Sequence, residues 1–103
     1  MDTRQQARTD LAAVLRWSAR LELHEGVDNH FSVMVPGTDD RFLINPHRRH
    51  WRDMRASDLV EVDADGNLIA GAEPPEATAV FIHWRIHVNC EHARAILHTH
   101  MPY

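Results

Sequence analysis

Apolar positions follow a helical repeat in the first quarter of the chain. From Thr9 they recur at steps of three and four residues, which predicts one amphipathic helix that ends before Gly26. Thr9 or Asp10 is positioned to cap this helix. The apolar or small residues of the stripe are Leu11, Val14, Leu15, Ser18 and Leu21.

After Gly26 the repeat changes to strict alternation, which is typical of strands. Phe31, Val33 and Val35 alternate with more polar neighbours until the turn 36–40, and residues 41–45 are expected to return as a hairpin partner. A second hairpin is predicted from 59–62 and 67–69, joined by the Asp-Ala-Asp-Gly turn at 63–66.

A second helix of about 13 residues is predicted to begin near Pro75 or Glu76. Its expected inner face consists of Ala79, Ile82, His83, Ile86 and Cys90. Residues 95–100 are interpreted as a buried strand. The order of helix, hairpin, hairpin, helix and strand predicts an α/β layered domain with a largely antiparallel sheet.

Composition excludes several classes of function. All eleven basic residues are arginine, so no Schiff-base lysine exists in the chain. A net charge of −4 argues against nucleic-acid binding, and Cys90 as the single cysteine excludes an intrachain disulfide. No apolar run is long enough to span a membrane, and the N-terminal residues lack the apolar core of a secretory signal, so a cytoplasmic protein is expected.

Nine histidines are conspicuous, and the most informative are in His98-Thr99-His100. On a strand, side chains at i and i+2 project from one face about 6.5–7 Å apart, so both imidazoles could bind one metal ion. The alternative is two histidines that make ordinary hydrogen bonds in a sheet.

Two further positions are candidates for chemistry. Glu76 follows two prolines at a predicted helix start, where the helix dipole stabilises a carboxylate, although an ordinary first-turn glutamate is the plainer interpretation. Asn29 and Ser32 lie where a loop enters a strand, and such side chains bind anions or cap the turn.

Other polar or aromatic residues have structural interpretations. His83 and His87 are one helical turn apart and could hold a metal, but a structural role is favoured for His83. The run 48–52, which includes Trp51, is expected to be a solvated loop or a subunit contact rather than a base-stacking site. Cys90 is interpreted as a packing residue, and Trp17 and Trp84 are expected to pack between layers.

Five ordered blocks resemble the first half of the class II aldolase/adducin family. They are residues 28–33, 42–46, 58–66, 75–83 and 97–100. The family's pattern runs Gly-Asn-Ile-Ser, Leu-Ile-Thr-Pro-Ser-Gly, Asp-Leu-Val, Ser-Ser-Glu and His-Thr-His. The resemblance begins near Leu11 and implies that residues 1–103 are the N-terminal portion of a layered α/β/α domain, incomplete at its C-terminal end.

The resemblance also implies site residues and a reaction. His98 and His100 match two ligands of a divalent metal, usually zinc, with a third histidine expected beyond Tyr103. Glu76 matches the acid/base residue and Asn29 a substrate-binding residue. The implied reaction is aldol cleavage or condensation, or related enediolate chemistry, on a small hydroxylated carbonyl substrate, in a homo-oligomer that is commonly a tetramer.

Departures from the pattern refine these expectations. Pro74 and Pro75 replace two serines, His47 and Arg48 replace Ser-Gly, and Asp28 replaces a glycine. These changes remove groups that bind phosphate in the family, so a substrate without phosphate is expected. The alternative to an enzyme is a non-catalytic, adducin-like assembly domain or an inactive fragment.

Overall fold

The computed structural model describes residues 2–23, 30–46, 49–71, 77–90 and 92–99. Their helices and strands, in chain order, are α1 (Thr3–Arg20), β1 (Phe31–Met34), β2 (Arg41–Ile44), β3 (Val60–Asp63), β4 (Leu68–Ala70), α2 (Ala77–Asn89) and β5 (Ala95–Leu97). Two single-turn 3₁₀ helices, Trp51–Asp53 and Ala56–Asp58, lie between β2 and β3. The predicted order of helix, hairpin, hairpin, helix and strand is confirmed.

The five strands form one sheet in the order β4-β3-β2-β1-β5, and each neighbouring pair is antiparallel. Helix α1 and the 3₁₀ helices cover one face, and α2 covers the other. The predicted layered α/β fold with an antiparallel sheet is therefore confirmed. Both hairpins form where the turn residues indicated, and the turn between β3 and β4 is stabilised by Asp63, which accepts the backbone N–H groups of Asp65 and Asn67.

Each face of the sheet has its own apolar core. The core under α1 contains Leu11, Leu15, Phe31, Val35, Leu43, Trp51, Met54 and Leu59. The core under α2 contains Met34, Phe42, Ile44, Val60, Val62, Ala79 and Val80. Alternation along β1 and β2 divides their side chains between the two cores, which assigns Ser32 to the α2 face, opposite Ile44.

Helix α1 begins earlier than the apolar pattern predicted. Its N-cap is Asp2, whose carboxylate accepts the N–H of Gln5, so the predicted caps Thr9 and Asp10 are wrong. The first two turns are anchored by polar contacts, since Arg8 donates to the carbonyls of Ala56 and Leu59. A search for apolar periodicity could not detect that anchor.

The buried stripe of α1 also differs from the prediction. Leu11, Leu15 and Ser18 are buried as expected, but Ala12 and Ala19 complete the stripe, and Val14 and Leu21 are 40% and 57% exposed. The stripe is therefore rotated toward two alanines, because small residues allow close approach to the sheet.

Helix α2 has the predicted length of 13 residues, but its inner face differs from the prediction. Ala79 and His83 are buried as expected, together with Val80 and His87, whereas Ile82 and Ile86 are exposed. Cys90 is also exposed, so its interpretation as a packing residue is wrong. The inner face is turned toward Val80, which packs in the core under α2, and His87, which contacts Ser32 on β1.

Three further predictions are corrected by burial. Trp51 is fully buried against Phe31, with ring centroids 4.5 Å apart, so it belongs neither to a solvated loop nor to an exposed contact. Trp84 packs against the core under α2 as predicted, whereas Trp17 is 60% exposed. Strand β5 is an edge strand of only three residues, and none of them is buried.

Across the described part of the chain, no helix combines the length and apolarity needed to cross a membrane.

Candidate functional site

Four histidines collect on the α2 face of the sheet. Strand β1 pairs with β5 so that Phe31 is opposite Leu97, and continuing that register by one residue sets His30 opposite His98. Because side chains alternate along a strand, His30 and His98 share the face of Ser32. Helix α2 covers this face and contributes His83 and His87. We call His30, His83, His87 and His98 the histidine cluster.

Ser32 links the two histidines of α2. Its hydroxyl lies 2.6 Å from Nδ1 of His83 and 2.9 Å from Nε2 of His87. The other ring nitrogen of His87, Nδ1, lies 2.6 Å from the carbonyl oxygen of Ala93, just before β5. Ser32 is fully buried, and both histidines are buried, so these contacts satisfy polar groups within the core.

The hydrogen bonds have one consistent direction when both imidazoles are neutral. A carbonyl oxygen only accepts, so Nδ1 of His87 carries the proton and its Nε2 accepts from the Ser32 hydroxyl. The Ser32 oxygen then accepts from His83, whose proton is on Nδ1. The Nε2 atom of His83 is therefore the acceptor nitrogen of that ring.

The surroundings of the cluster favour neutral imidazoles. The pKa of His83 is lowered from 6.5 to about 4, mainly by burial and in smaller part by the charges that His30, His87 and His98 carry when protonated. Burial also lowers the pKa of His87, an effect that the Ala93 carbonyl opposes and the Arg94 charge reinforces. The ring of His87 lies 5.4 Å from that of Phe42, an apolar neighbour.

Backbone anchors fix the strands that carry the cluster. The buried side chain of Asn45 accepts the N–H of Phe31 at 2.9 Å, which holds the start of β1 beside β2. Arg94 accepts the N–H of Met34 with its carbonyl oxygen at 2.7 Å and donates from its guanidinium to the carbonyl of Thr38 at 3.0 Å. The segment that enters β5 is thus held to β1 and to the turn between β1 and β2.

Of the predicted site residues, His98 alone lies within the described residues. It directly follows β5 and is exposed, at the edge of the histidine cluster. Glu76, Asn29 and His100 lie outside the described ranges, as do Pro74, Pro75, Asp28, His47 and Arg48. Their predicted roles therefore stay predictions.

An exposed imidazole such as that of His98 is a suitable ligand for zinc. Within the described ranges, however, no three His, Cys, Asp or Glu side chains form a group able to hold a metal ion. The described residues therefore contribute a single predicted ligand.

Sequence reasoning favoured a structural role for His83, which its burial confirms, but missed the role of Ser32 and the link between Ser32 and His87. Ser32 was expected to bind an anion or to cap the turn, but it is the buried link between two histidines. The i, i+4 spacing of His83 and His87 was the available signal, and the alternation of His30 with Ser32 was a second one. Neither signal identified the partners, since 51 and 55 residues separate Ser32 from the two histidines.

Comparisons with known proteins agree with this fold. A family model described as the class II aldolase and adducin N-terminal domain matches residues 9–103. A curated protein of Caulobacter vibrioides, named for class 2 aldolases, is 38% identical over 96 residues, which are 92% of this chain and 37% of that protein.

Two solved structures are closely similar. An aldolase II superfamily protein from Pseudomonas syringae has a TM-score of 0.93 and 33% identity, with 99% of this chain and 41% of that chain covered. L-fuculose 1-phosphate aldolase from Glaciozyma antarctica has a TM-score of 0.91 and 29% identity, with 97% and 42% covered. The chain thus spans 37–42% of the length of these three proteins.

Proposed function

The chain belongs to the class II aldolase and adducin family, and we propose that it carries part of a metal-dependent active site for aldol chemistry. The reaction is aldol cleavage or condensation, or related enediolate chemistry, on a small hydroxylated carbonyl compound. The observation that supports this proposal is the position of His98. Its exposed imidazole directly follows β5, on the face of the sheet where the buried, neutral histidines of α2 lie.

In this proposal the metal is zinc or another divalent ion held by His98 and His100, together with a third histidine beyond Tyr103. When bound, the metal supplies a Lewis acid that stabilises negative charge next to the carbonyl group. Glu76 moves the proton, and Asn29 binds the substrate. The chain contains no lysine, so none of its residues offers an imine route.

The proposed substrate carries no phosphate. This part of the proposal rests on Pro74 and Pro75, which lack the hydroxyl donors that serine would provide. Asp28 adds a negative charge where the family pattern has glycine. The proposed protein is a cytoplasmic homo-oligomer, tetrameric as in the family, that binds neither nucleic acid nor membranes.

The experiment compares variants of the complete natural protein for metal content and for aldol cleavage. His98→Ala is expected to lose stoichiometric metal, whereas His92→Ala, at an exposed histidine outside the cluster, retains it. Glu76→Gln is expected to keep the metal but to lose about 100-fold or more in kcat, since general acid–base groups contribute about 10²–10⁴-fold.

Paired substrates with and without phosphate test the proposed specificity, and the unphosphorylated member of each pair is expected to react faster. Full activity in Glu76→Gln would refute the acid/base assignment. Absence of bound metal from the natural protein would refute the metal-dependent site.

The second candidate is a non-catalytic, adducin-like assembly domain. The outer surface of α2 favours it, because Phe81, Ile82 and Val88 are each at least half exposed. A protein that forms its normal oligomer but binds no metal and cleaves no substrate would support this candidate over the enzyme.

A further inference from the structure

A continuous hydrogen-bond chain connects the entry of β5 to the histidine cluster. It runs from the Ala93 carbonyl through His87 and Ser32 to His83, with separations of 2.6, 2.9 and 2.6 Å. Because the carbonyl oxygen at one end only accepts, the position of each proton in this hydrogen-bond chain is fixed when both imidazole rings are neutral. An ordered chain of this kind selects one tautomer of each imidazole.

Two other interpretations of these residues are less consistent with the contacts. Ser32 is fully buried, so its hydroxyl is inaccessible to a substrate and does not act as a nucleophile. His83 and His87 each direct a ring nitrogen at the Ser32 oxygen, and a metal between them would have to displace those hydrogen bonds.

We propose that Ser32 and His87 are positioning residues that hold His83 with its proton on Nδ1, so that Nε2 of His83 accepts a hydrogen bond from a ring N–H of His98. This hydrogen bond is direct or is bridged by one water molecule. The inference rests on the proposed metal site at His98, because histidine ligands of metals usually donate their second ring N–H to a nearby acceptor. Such an acceptor fixes the ring orientation of the ligand.

Two observations connect His83 with His98. The β1–β5 register pairs Ser32 with Ile96, so that His98, two residues further on, is expected on the same face, and His83 contacts Ser32 on that face at 2.6 Å. The charge of a protonated His98 also opposes protonation of His83, which agrees with this placement. His83, whose Nδ1 is occupied by Ser32, therefore lies on the same face of the sheet as the proposed ligand, with Nε2 as its acceptor nitrogen.

The first measurement is the tautomer of His83 in the complete natural protein, labelled with ¹⁵N in histidine and observed through long-range proton–nitrogen correlations at pH 7. His83 and His87 are expected to carry their protons on Nδ1, and a His83→Asn variant identifies the His83 signals. A proton on Nε2 of His83 would overturn the proposal.

The second measurement compares metal affinity among serine variants. Ser32→Ala is expected to mix the His83 tautomers and to weaken zinc binding by about 10- to 100-fold, the usual effect of losing a residue that orients a metal ligand. Ser32→Thr keeps the hydroxyl and is expected to restore both properties. Ser18→Ala is the matched control, because Ser18 is also a buried serine but belongs to α1 on the opposite side of the sheet.

The outcomes separate this inference from the proposed function. Unchanged tautomers in Ser32→Ala would overturn the hydrogen-bond chain, whether or not metal binds. Mixed tautomers with zinc affinity equal to that of Ser18→Ala would overturn the positioning role while leaving the metal site intact. Failure of the natural protein to bind zinc would refute the proposed function and the positioning role together. The tautomer measurement would still show whether the hydrogen-bond chain from Ala93 to His83 exists.

Discussion

Acidification should destabilise this fold through His83. The pKa of this imidazole falls from 6.5 to about 4 in the folded chain, mainly because of burial. Between these values the unfolded chain binds a proton that the folded chain does not, so the free energy of unfolding decreases as pH falls. The contribution is fully present above pH 6.5 and is lost progressively down to about pH 4, where the folded side chain also becomes protonated.

The size of the effect follows from the change in pKa. One pKa unit corresponds to about 1.4 kcal/mol, so a fall from 6.5 to about 4 corresponds to a loss of about 3 kcal/mol. Domains of this size are stable by only about 5–15 kcal/mol. His87, whose pKa is also lowered, acts in the same direction. The charges of His30, which precedes β1, and of His98, which follows β5, account for part of this lowering of the His83 pKa.

Urea unfolding of the complete, metal-depleted protein, followed by circular dichroism from pH 8 to pH 4, measures this loss. The comparison variant is His83→Asn, whose amide N–H can still donate to Ser32 but does not titrate. It should lose about 3 kcal/mol less than the wild type over this range, whereas His92→Asn, at an exposed position, should follow the wild type. Parallel pH dependence in the wild type and His83→Asn would refute the assignment of the loss to His83.

Three further predictions concern stability and are measured by urea unfolding at pH 7. Gly71→Ala should destabilise the fold by about 1–3 kcal/mol, and by more than Gly66→Ala. An added Cβ at Gly71 would lie 2.5 Å from Val60 Cγ1, whereas an added Cβ at Gly66 has no surrounding atom within 4 Å. Equal losses in the two variants would contradict this steric explanation. Asn45→Ala should cost about 1–3 kcal/mol, since it leaves the buried N–H of Phe31 without its acceptor, and a loss below 0.5 kcal/mol would contradict that account. Glu61→Ala should destabilise the fold more than Arg4→Ala does. The Glu61 side chain is 1% exposed and pairs with both Arg4 and Arg41, whereas the Arg4 side chain is 49% exposed. A larger loss of stability in Arg4→Ala would show that the buried carboxylate does not depend on these pairs.

The order of the elements could be predicted because its signals are local. The turn at 63–66 and the alternation at 31–35 each lie within a few residues, and both hairpins formed as expected. The inner faces of the helices were less predictable. Helix α1 is extended by polar contacts of its first turns, and α2 presents histidines rather than isoleucines to the sheet. Both outcomes depend on partners that are distant in sequence.

The residues of the candidate site also differ in how far the sequence could identify them. His98 could be proposed as a ligand from the tripeptide His-Thr-His, because the spacing of two imidazoles on a strand is a local property, and this role stays a prediction. The link between Ser32 and the histidines of α2 could not be selected, because it exists only after α2 docks on β1. A buried serine and a buried histidine resemble ordinary core residues until their partners are known.

The position of His98 depends on polar contacts more than on burial of its own strand. The register of a strand is normally fixed by its apolar face, and a slip of one residue turns every side chain to the other face. Strand β5 lies at the sheet edge and has no buried residue, so apolar burial specifies its register weakly. The bonds of Ala93 to His87 and of Arg94 to Met34 and Thr38 hold the segment before it instead. Because a slip would break these bonds and move His98 to the α1 face, the same hydrogen bonds that satisfy the buried histidines also determine where the proposed metal ligand lies.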